Sequence, residues 1–295
     1  MFPRILVWTK RIFTPFALGA LLYATWQSRA FLVMLFTTAQ RQNLIITLPL
    51  LMLPHLISPL AVVVGLKSLG ISVPYHFTLS THIHRLPARY LPGGIWHSVG
   101  RMMDFHAYGI HPTQLTIFFV LENILSISVS FILGGLGVGY FRGGSDQWGM
   151  LGFLASLGNI VILVAIPIVF IRFSKMILRH YLQAISCYIF LIFPLFALAF
   201  VCYLSAFQLG RSGLETGSIY LFSWAVGLVT FFAPQGLGVF EVMVGHLLGS
   251  SLSLHNFVAL IVGFRVFSMV ADILLWGIFS TYRILRYFFR AHRGT

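Results

Sequence analysis

The sequence predicts an all-α, polytopic membrane fold, and three observations predict it. Apolar residues make up 58% of the 295 positions, charged residues only 8%, and the mean hydropathy is +0.92. A soluble domain of this size cannot cover its surface with so few charges. Apolar runs long enough to cross a hydrocarbon core, which takes about 20 helical residues, recur along the chain. The runs are continuous rather than alternating, which argues against a β-barrel. No polar stretch is long enough for a separate soluble domain, so residues 1–295 read as one membrane domain.

In chain order, spans are expected at 12–27, 43–66, 112–137, 147–170, 183–207, 216–233 and 255–279, about seven to eight in all. Arg4, Lys10 and Arg11 precede the first run in the manner of a signal peptide. No convincing small-residue cleavage site follows, so 12–27 reads as a retained span. Residues 28–42 carry Arg29 and Arg41 around an apolar stretch and form an amphipathic connector. Pro49, Pro54 and Pro59 remove helix hydrogen bonds within the second span and are expected to kink it. Two regions fit no simple span. Residues 68–110 hold Pro74, Pro87, Pro92, Gly93 and Gly94 among Arg and His; residues 234–252 hold Pro234, Gly236, Gly238, Gly245 and Gly249. Both are too polar or too Gly-rich for a lipid-facing helix and too apolar for a solvated loop. Broken or re-entrant helices shielded by the other spans are expected there.

Topology follows from Arg and Lys. Arg283, Arg286, Arg290 and Arg293 place the C-terminus in the cytoplasm, as do Arg172, Lys175, Arg179 and His180 for the loop they mark. The 138–146 and 208–215 loops fit outside. Spans 112–137 and 255–279 are then antiparallel. Span 216–233 ends inside, so residues 234–252 must cross most of the bilayer.

A motif occurs twice. Tyr90-Leu91-Pro92-Gly93-Gly94-Ile95-Trp96 is echoed by Phe232-Ala233-Pro234-Gln235-Gly236-Leu237-Gly238. Glu122 follows Pro92 by 30 residues, and Arg265 follows Pro234 by 31. Paired Pro/Gly breaks in two halves of a membrane protein point to a central site between inverted repeats. The halves are roughly 43–137 and 183–279, and Glu122 and Arg265 are expected to face one another near the midplane.

The net charge of +13 comes from 19 Lys and Arg against 6 acids. Most basic residues end apolar runs, where topology and anionic lipid account for them. No nucleic-acid-reading motif is present, and nucleic acid is not expected as a partner. Cys187 and Cys202 share one apolar run and read as buried thiols. The acids Asp104, Glu122, Glu241 and Asp272 lie in or beside the two unusual regions, with Arg101 and Arg265 as their counter-charges. Ionisable groups in the bilayer are usually paired or line a polar cavity. His97, Arg101 and Asp104 are spaced to share one helix face, as are Arg265 and Asp272. Such a cavity suits a phosphate-bearing headgroup, because Arg offers a fixed fork to phosphate oxygens and helix starts bind anions. Structural ion pairing competes with this reading for Glu122 and Arg265, and an interfacial pair competes for Arg101 and Asp104. Glu241 also fits the first turn of a helix.

Histidines occur at 76, 82, 84, 97, 106 and 111, but no HxxxH or HExxH pair occurs, so no metal is expected. No GxSxG and no Ser or Cys motif beside a His is present. No catalytic residue or cofactor is assigned.

Leu91-Pro92-Gly93-Gly94, Arg101, Gly109-Ile110 and Glu122, with Pro234-Gln235-Gly236-Leu237-Gly238-Val239-Phe240-Glu241 and Arg265, resemble the lysylphosphatidylglycerol synthase transmembrane family. This is the flippase-like domain of the bacterial multiple peptide resistance factor. The resemblance covers nearly the whole chain. It implies a multi-span helical domain with internal symmetry in the bacterial inner membrane, moving lipids or lipid-linked headgroups between leaflets. The carried-over motif residues are Pro92, Gly94, Arg101, Glu122, Pro234, Gly236, Gly238, Glu241 and Arg265. Asn123 stands where the family often has Arg, and Gln235 where it often has Gly. The synthase domain is not among these residues, so a stand-alone member that makes no aminoacyl lipid is expected. The expected cargo is an anionic or zwitterionic phospholipid or a lipid-linked sugar. An intramembrane enzyme acting on lipid phosphates or glycans stays open, as does a non-catalytic partner of a lipid-modifying enzyme. A homo-oligomer also stays open.

Overall fold

The computed structural model describes residues 19, 23, 26–90, 96–173, 176–230, 236–249 and 253–291. The expected span 12–27 therefore lies largely outside the described residues. So do Pro92, Gly93, Gly94 and Pro234. Among the described residues the chain is helical throughout, with no strand. The helices are α1 (Arg29–Thr38), α2 (Arg41–Ser68), α3 (Tyr75–Arg85), α4 (Trp96–Ala107), α5 (Pro112–Arg142), α6 (Gln147–Phe173), α7 (Leu178–Cys187), α8 (Phe193–Ser205), α9 (Gly213–Val229), α10 (Val239–Leu248) and α11 (Leu254–Ala291). A 3₁₀ turn (Leu86–Tyr90) continues α3, and a π turn (Tyr188–Ile192) joins α7 to α8.

Among the described residues, five helical stretches are long and apolar enough to cross a membrane: Arg41–Ser68, Pro112–Arg142, Gln147–Phe170, Leu178–Ser205 and Asn256–Tyr282. This is compatible with an integral membrane protein. The outward face is correspondingly greasy: on α6, Leu154, Leu157, Val161, Val164 and Ile168 are exposed. The expected span at 216–233 corresponds to α9, which has 17 residues.

Local chemistry explains the departures from regular helix. Pro194 has no N–H, and immediately before it the helix widens into the π turn, whose closing bond runs from Phe193 N–H to Tyr188 C=O. The three prolines of α2 do not end it; the helix runs unbroken from 41 to 68. The expected Gly-rich loop at 138–146 is mostly helix. α5 continues to Arg142, and only 143–146 turn.

Glycines in α5 serve close packing. A Cβ on Gly134 would collide with the backbone of Phe222 on α9, and one on Gly135 with Ser156 and Gly152 on α6. A Cβ on Gly139 would sit 2.8 Å from the Phe153 ring. Helices in lipid gain no hydrophobic drive toward one another, so small residues that admit close backbone contact hold them together. α5 is clasped in this way between α6 and α9. The second packing centre is α2, which lies against α7 and α8, with α3 and α11 beside it.

Loop contacts fix which ends lie together. Ile177 N–H donates to Ser68 C=O (2.8 Å), so α2 ends beside the α6–α7 connection. Arg142, at the end of α5, donates through Nη2 to Leu247 C=O (2.6 Å), and Arg211 Nε donates to Leu248 C=O (3.1 Å). Both guanidinium groups cap the C-terminus of α10, where carbonyls lack intrahelical partners and the helix dipole is negative. α10 therefore runs toward the α5–α6 turn and the α8–α9 loop. With 10 residues it spans about 15 Å, half of a hydrocarbon core. The helical part of residues 234–252 thus covers half the crossing expected for that segment.

Asp146 Oδ2 accepts N–H bonds from Trp148 (2.9 Å) and Gly149 (3.0 Å) at the start of α6. The Gly149 bond, followed by the Arg142 charge, holds its carboxyl below the usual range. A depressed carboxyl stabilises the fold above its unfolded-state pKa, and that contribution fades as pH falls through the lower folded value. Thermal denaturation at a series of acidic pH values should show Asp146→Asn with a flatter pH dependence than the parent chain. The glycine clasp makes a sharper prediction. Gly134→Ala should cost about 1–3 kcal/mol through overpacking. Gly158→Ala, where nothing lies within 4 Å of the new Cβ, should be neutral or stabilising in the same thermal assay.

Candidate functional site

Four of the six expected substrate-binding residues are brought together in two ion pairs, one between α4 and α5 and one between α10 and α11. Arg101 Nη2 of α4 donates to Glu122 Oε1 of α5 at 3.0 Å. Arg265 of α11 pairs with Glu241 of α10, and its Nη2 also reaches Gly236 C=O at 3.3 Å. Glu122 and Arg265 were expected to face one another; each instead has a counter-charge on the helix next in sequence. Short connections bring α4 against α5 and α10 against α11, so this pairing needs no partner from the other half.

The two pairs match in detail with the polarity reversed. In one, the short helix α4 supplies Arg and the long helix α5 supplies Glu. In the other, the short helix α10 supplies Glu and the long helix α11 supplies Arg. Each guanidinium also lies over an aromatic ring that neighbours its carboxylate: Arg101 over Phe119 at 5.0 Å, and Arg265 over Phe240 at 5.3 Å. The ring faces add electrostatic stabilisation for a desolvated cation. Arg101 and Glu241 are buried; Arg265 has 27% of its side chain exposed.

α10 begins at a backbone only glycine tolerates. Gly236 and Gly238 both have positive φ, +67° and +84°. A Cβ on Gly236 would sit 2.7 Å from Gly227 Cα of α9. Glu241 then closes the first turn, its Oε2 accepting from Gly238 N–H at 2.8 Å. This is the reciprocal half of a capping box, so Glu241 both caps its helix and holds Arg265.

Asp272 is nearly inaccessible and has three partners. Its Oδ1 lies 2.8 Å from His55 Nε2 of α2, and its Oδ2 accepts from Arg89 Nη1 (3.1 Å) and Tyr90 Oη (2.8 Å). It lies seven residues after Arg265 on α11, the spacing expected to put both on one face, and its partners come from α2 and the 3₁₀ turn. Asp104 was expected to share a face with Arg101, and an interfacial pair between them stayed open. It is instead held by both Nε (2.8 Å) and Nη2 (2.6 Å) of Arg85 on α3. Gly100 explains the exchange, because the Arg85 side chain crosses α4 where a Cβ at Gly100 would lie 2.8 Å from its Cδ. This pair is partly exposed, away from the buried pairs.

Three guanidinium groups belong to one polar interior. His97 is within electrostatic reach of Arg101 and Arg89, and Tyr220 of Arg89 and Arg265. Tyr188, in the π turn, lies beside Glu122, Ser126 and Arg101. Arg101 Nε, His97 Nε2, His82 Nδ1 and Ser223 Oγ are buried and have no hydrogen-bond partner among the described residues. Such groups are costly to desolvate, and each calls for an explanation, a ligand among them.

Among these residues, His55, Arg85, Arg89, Tyr188 and Tyr220 were not singled out in the sequence. His55 carried a readable signal, an ionisable group in the middle of an apolar run. Arg85 and Arg89 were counted in a polar region without partners. Among the described residues, no three His, Cys, Asp or Glu side chains converge as metal ligands.

No protein-family model matches the chain, and no curated protein matches it significantly.

Removing one partner of a buried pair strands the other charge. Arg101→Met should therefore cost about 3–5 kcal/mol, and Arg101→Met with Glu122→Leu should recover most of the loss. Denaturant unfolding of the two variants checks this. Equal destabilisation in single and double variants would contradict the pairing.

Proposed function

We propose that this chain is a lipid transporter of the bacterial inner membrane, similar to the lysylphosphatidylglycerol synthase transmembrane family. It binds a phosphate-bearing lipid or lipid-linked headgroup and moves it between leaflets. The observation that carries this reading is the duplicated, polarity-reversed ion pair on two short interior helices. Each helix follows one copy of the Pro/Gly motif.

Element order supports the inverted repeat behind it. A long helix, a second helix, a break, a short helix and a long helix occur as α2–α3–α4–α5 and again as α7/α8–α9–α10–α11. The cross-packing also corresponds, α9 against α5 and α3 against α11. α2 packs against its counterpart α7/α8, as elements beside a two-fold axis would. With the Arg-rich C-terminus in the cytoplasm, α5 and α11 are antiparallel, and seven to eight spans follow when 12–27 and α9 are included.

In this reading Arg101 and Arg265 hold the phosphate and Arg89 adds a third donor group. Glu122 and Glu241 balance them at rest and engage an amine or hydroxyl of the headgroup. Exchange of Glu for phosphate at each Arg keeps the cation paired while the headgroup passes. The cargo's charge then substitutes for a protein charge rather than adding to it. Asp104 serves packing of α3 on α4, and Asp272 positions Arg89. Gly236 and Gly238 shape the entry to α10, and Pro92, Gly93, Gly94 and Pro234 belong to the same motif in the sequence.

A charge swap separates this role from a structural one. Arg101→Glu with Glu122→Arg keeps the ion pair and moves the guanidinium to the opposite helix. Translocation of a fluorescent phospholipid in proteoliposomes should fall about tenfold or more, with the protein still folded. Undiminished translocation in the swapped variant would reduce the pair to a structural element.

A further inference from the structure

Histidines from three different helices form a line through the interior. His55 on α2 sits between Asp272 and His82: its Nε2 is 2.8 Å from Asp272 Oδ1, and its Nδ1 is 3.2 Å from His82 Nε2. His82 on α3 and His97 on α4 meet with perpendicular rings, centroids 5.4 Å apart. His55 and His82 are 5% and 6% exposed.

Hydrogen-bond direction assigns the protons along this line. A carboxylate only accepts, so His55 Nε2 carries a proton toward Asp272. His55 Nδ1 is then an acceptor and takes a proton from His82 Nε2. That leaves His82 Nδ1 with a lone pair. Among the described residues this buried atom has no hydrogen-bond partner, and neither has His97 Nε2. A lone pair and an unpartnered imidazole nitrogen thus stand on adjacent rings, whose centroids are 5.4 Å apart.

We propose that His97, His82, His55 and Asp272 form a proton relay coupled to the interior ion pairs. A proton taken from water at His97 Nδ1 displaces the one on Nε2, so the imidazolium, which burial and then Arg101 disfavour, is only transient. Its Nε2–H bond breaks and an N–H bond forms at His82 Nδ1. His82 then gives its Nε2 proton to His55 Nδ1, and His55 gives its Nε2 proton to Asp272 Oδ1. One proton has moved to Asp272, which gives it to water on the opposite side as the carboxylate re-pairs with Arg89; each imidazole ends neutral with its tautomer inverted until the rings turn back. Chains of His and acidic residues inside membrane helices commonly serve this purpose.

The surroundings make the delivered proton consequential. His55 faces Phe196 of α8 edge-on, so its only polar neighbours in the line are His82 and Asp272. His82 has Arg101 of α4 and Arg89 of the 3₁₀ turn within electrostatic reach. His97 lies one helical turn before Arg101, which holds Glu122. At the far end, a neutral Asp272 loses its attraction for Arg89 and becomes a poorer acceptor for Tyr90. The relay thus starts beside one ion pair and ends on the acid that restrains Arg89. Coupling of that release to cargo movement rests on the lipid-translocation reading; the relay itself does not. A metal site does not account for the cluster, since no three ligands converge among the described residues.

The test uses purified full-length chain in phosphatidylglycerol–phosphatidylcholine liposomes that hold a pH-sensitive dye and a fluorescent phosphatidylglycerol. A pH gradient is imposed with the membrane potential clamped. The parent chain should acidify the lumen about tenfold faster than empty liposomes, and His82→Gln should return to the empty rate. His55→Gln should do the same. His84→Gln is the control and should keep the parent rate, because its Nδ1 bonds Ser80 C=O away from the line. Parent-rate acidification by correctly folded His82→Gln overturns the relay, as does a parent chain no faster than empty liposomes. Proton movement without lipid movement in the parent supports the relay and defeats the lipid reading. Lipid movement in His82→Gln at the parent rate, with no pH response in either, overturns the relay and leaves lipid translocation standing.

Discussion

A charge inside a greasy protein must find its counter-charge within a few ångströms, and the interior of this chain is arranged around that requirement. Leaving an ion unpaired in such surroundings costs several kcal/mol. Arg101 with Glu122 and Arg265 with Glu241 satisfy it across neighbouring helices, and Asp272 satisfies it with Arg89, His55 and Tyr90. These bonds tie the short helices α4 and α10 to the long helices α5 and α11. They also fix what a ligand must do to enter, because any anion bound there competes with a carboxylate already in place. In the proposed reading, a phosphate-bearing headgroup enters by replacing Glu with an equivalent charge.

Close packing supplies the second layer. Without a hydrophobic drive between helices in lipid, α5 is held by contacts too tight for a side chain, through Gly134, Gly135 and Gly139. The backbone at Gly236 uses the same device against Gly227, at the point where α10 starts. Sequence chemistry, local conformation and the position of Glu241 are therefore linked. A residue larger than glycine at 236 would displace the turn that presents Glu241 to Arg265.

Much of the fold could be read in advance because it rests on local rules. Helical class and five of the spans follow from hydropathy and run length, and the short helices at α4 and α10 follow from Pro and Gly near Arg and Glu. Gly139, Gly143 and Gly144 misled the reading at the end of α5: glycine beside polar residues signals a loop, but Gly139 marks a helix–helix contact. Partner identity was the harder problem. Glu122 and Arg265 were matched because they occupy equivalent places in two repeats. Equivalence by symmetry does not imply contact, and each found a charge 21 or 24 positions away on an adjacent helix. His55 was overlooked because one histidine in an apolar run shows no spacing pattern. Its meaning emerges only when α2, α3 and α11 bring His82 and Asp272 to it.

Native mass spectrometry of the protein released from its own membrane tests whether the paired arginines hold a phosphate-bearing headgroup. The account predicts one phosphate-bearing lipid that stays bound after loosely attached lipids are stripped. That lipid should be lost when Arg101 and Arg265 are both replaced by Gln in folded protein. Only loosely attached lipids, removed at the same collision energy from both proteins, would contradict it.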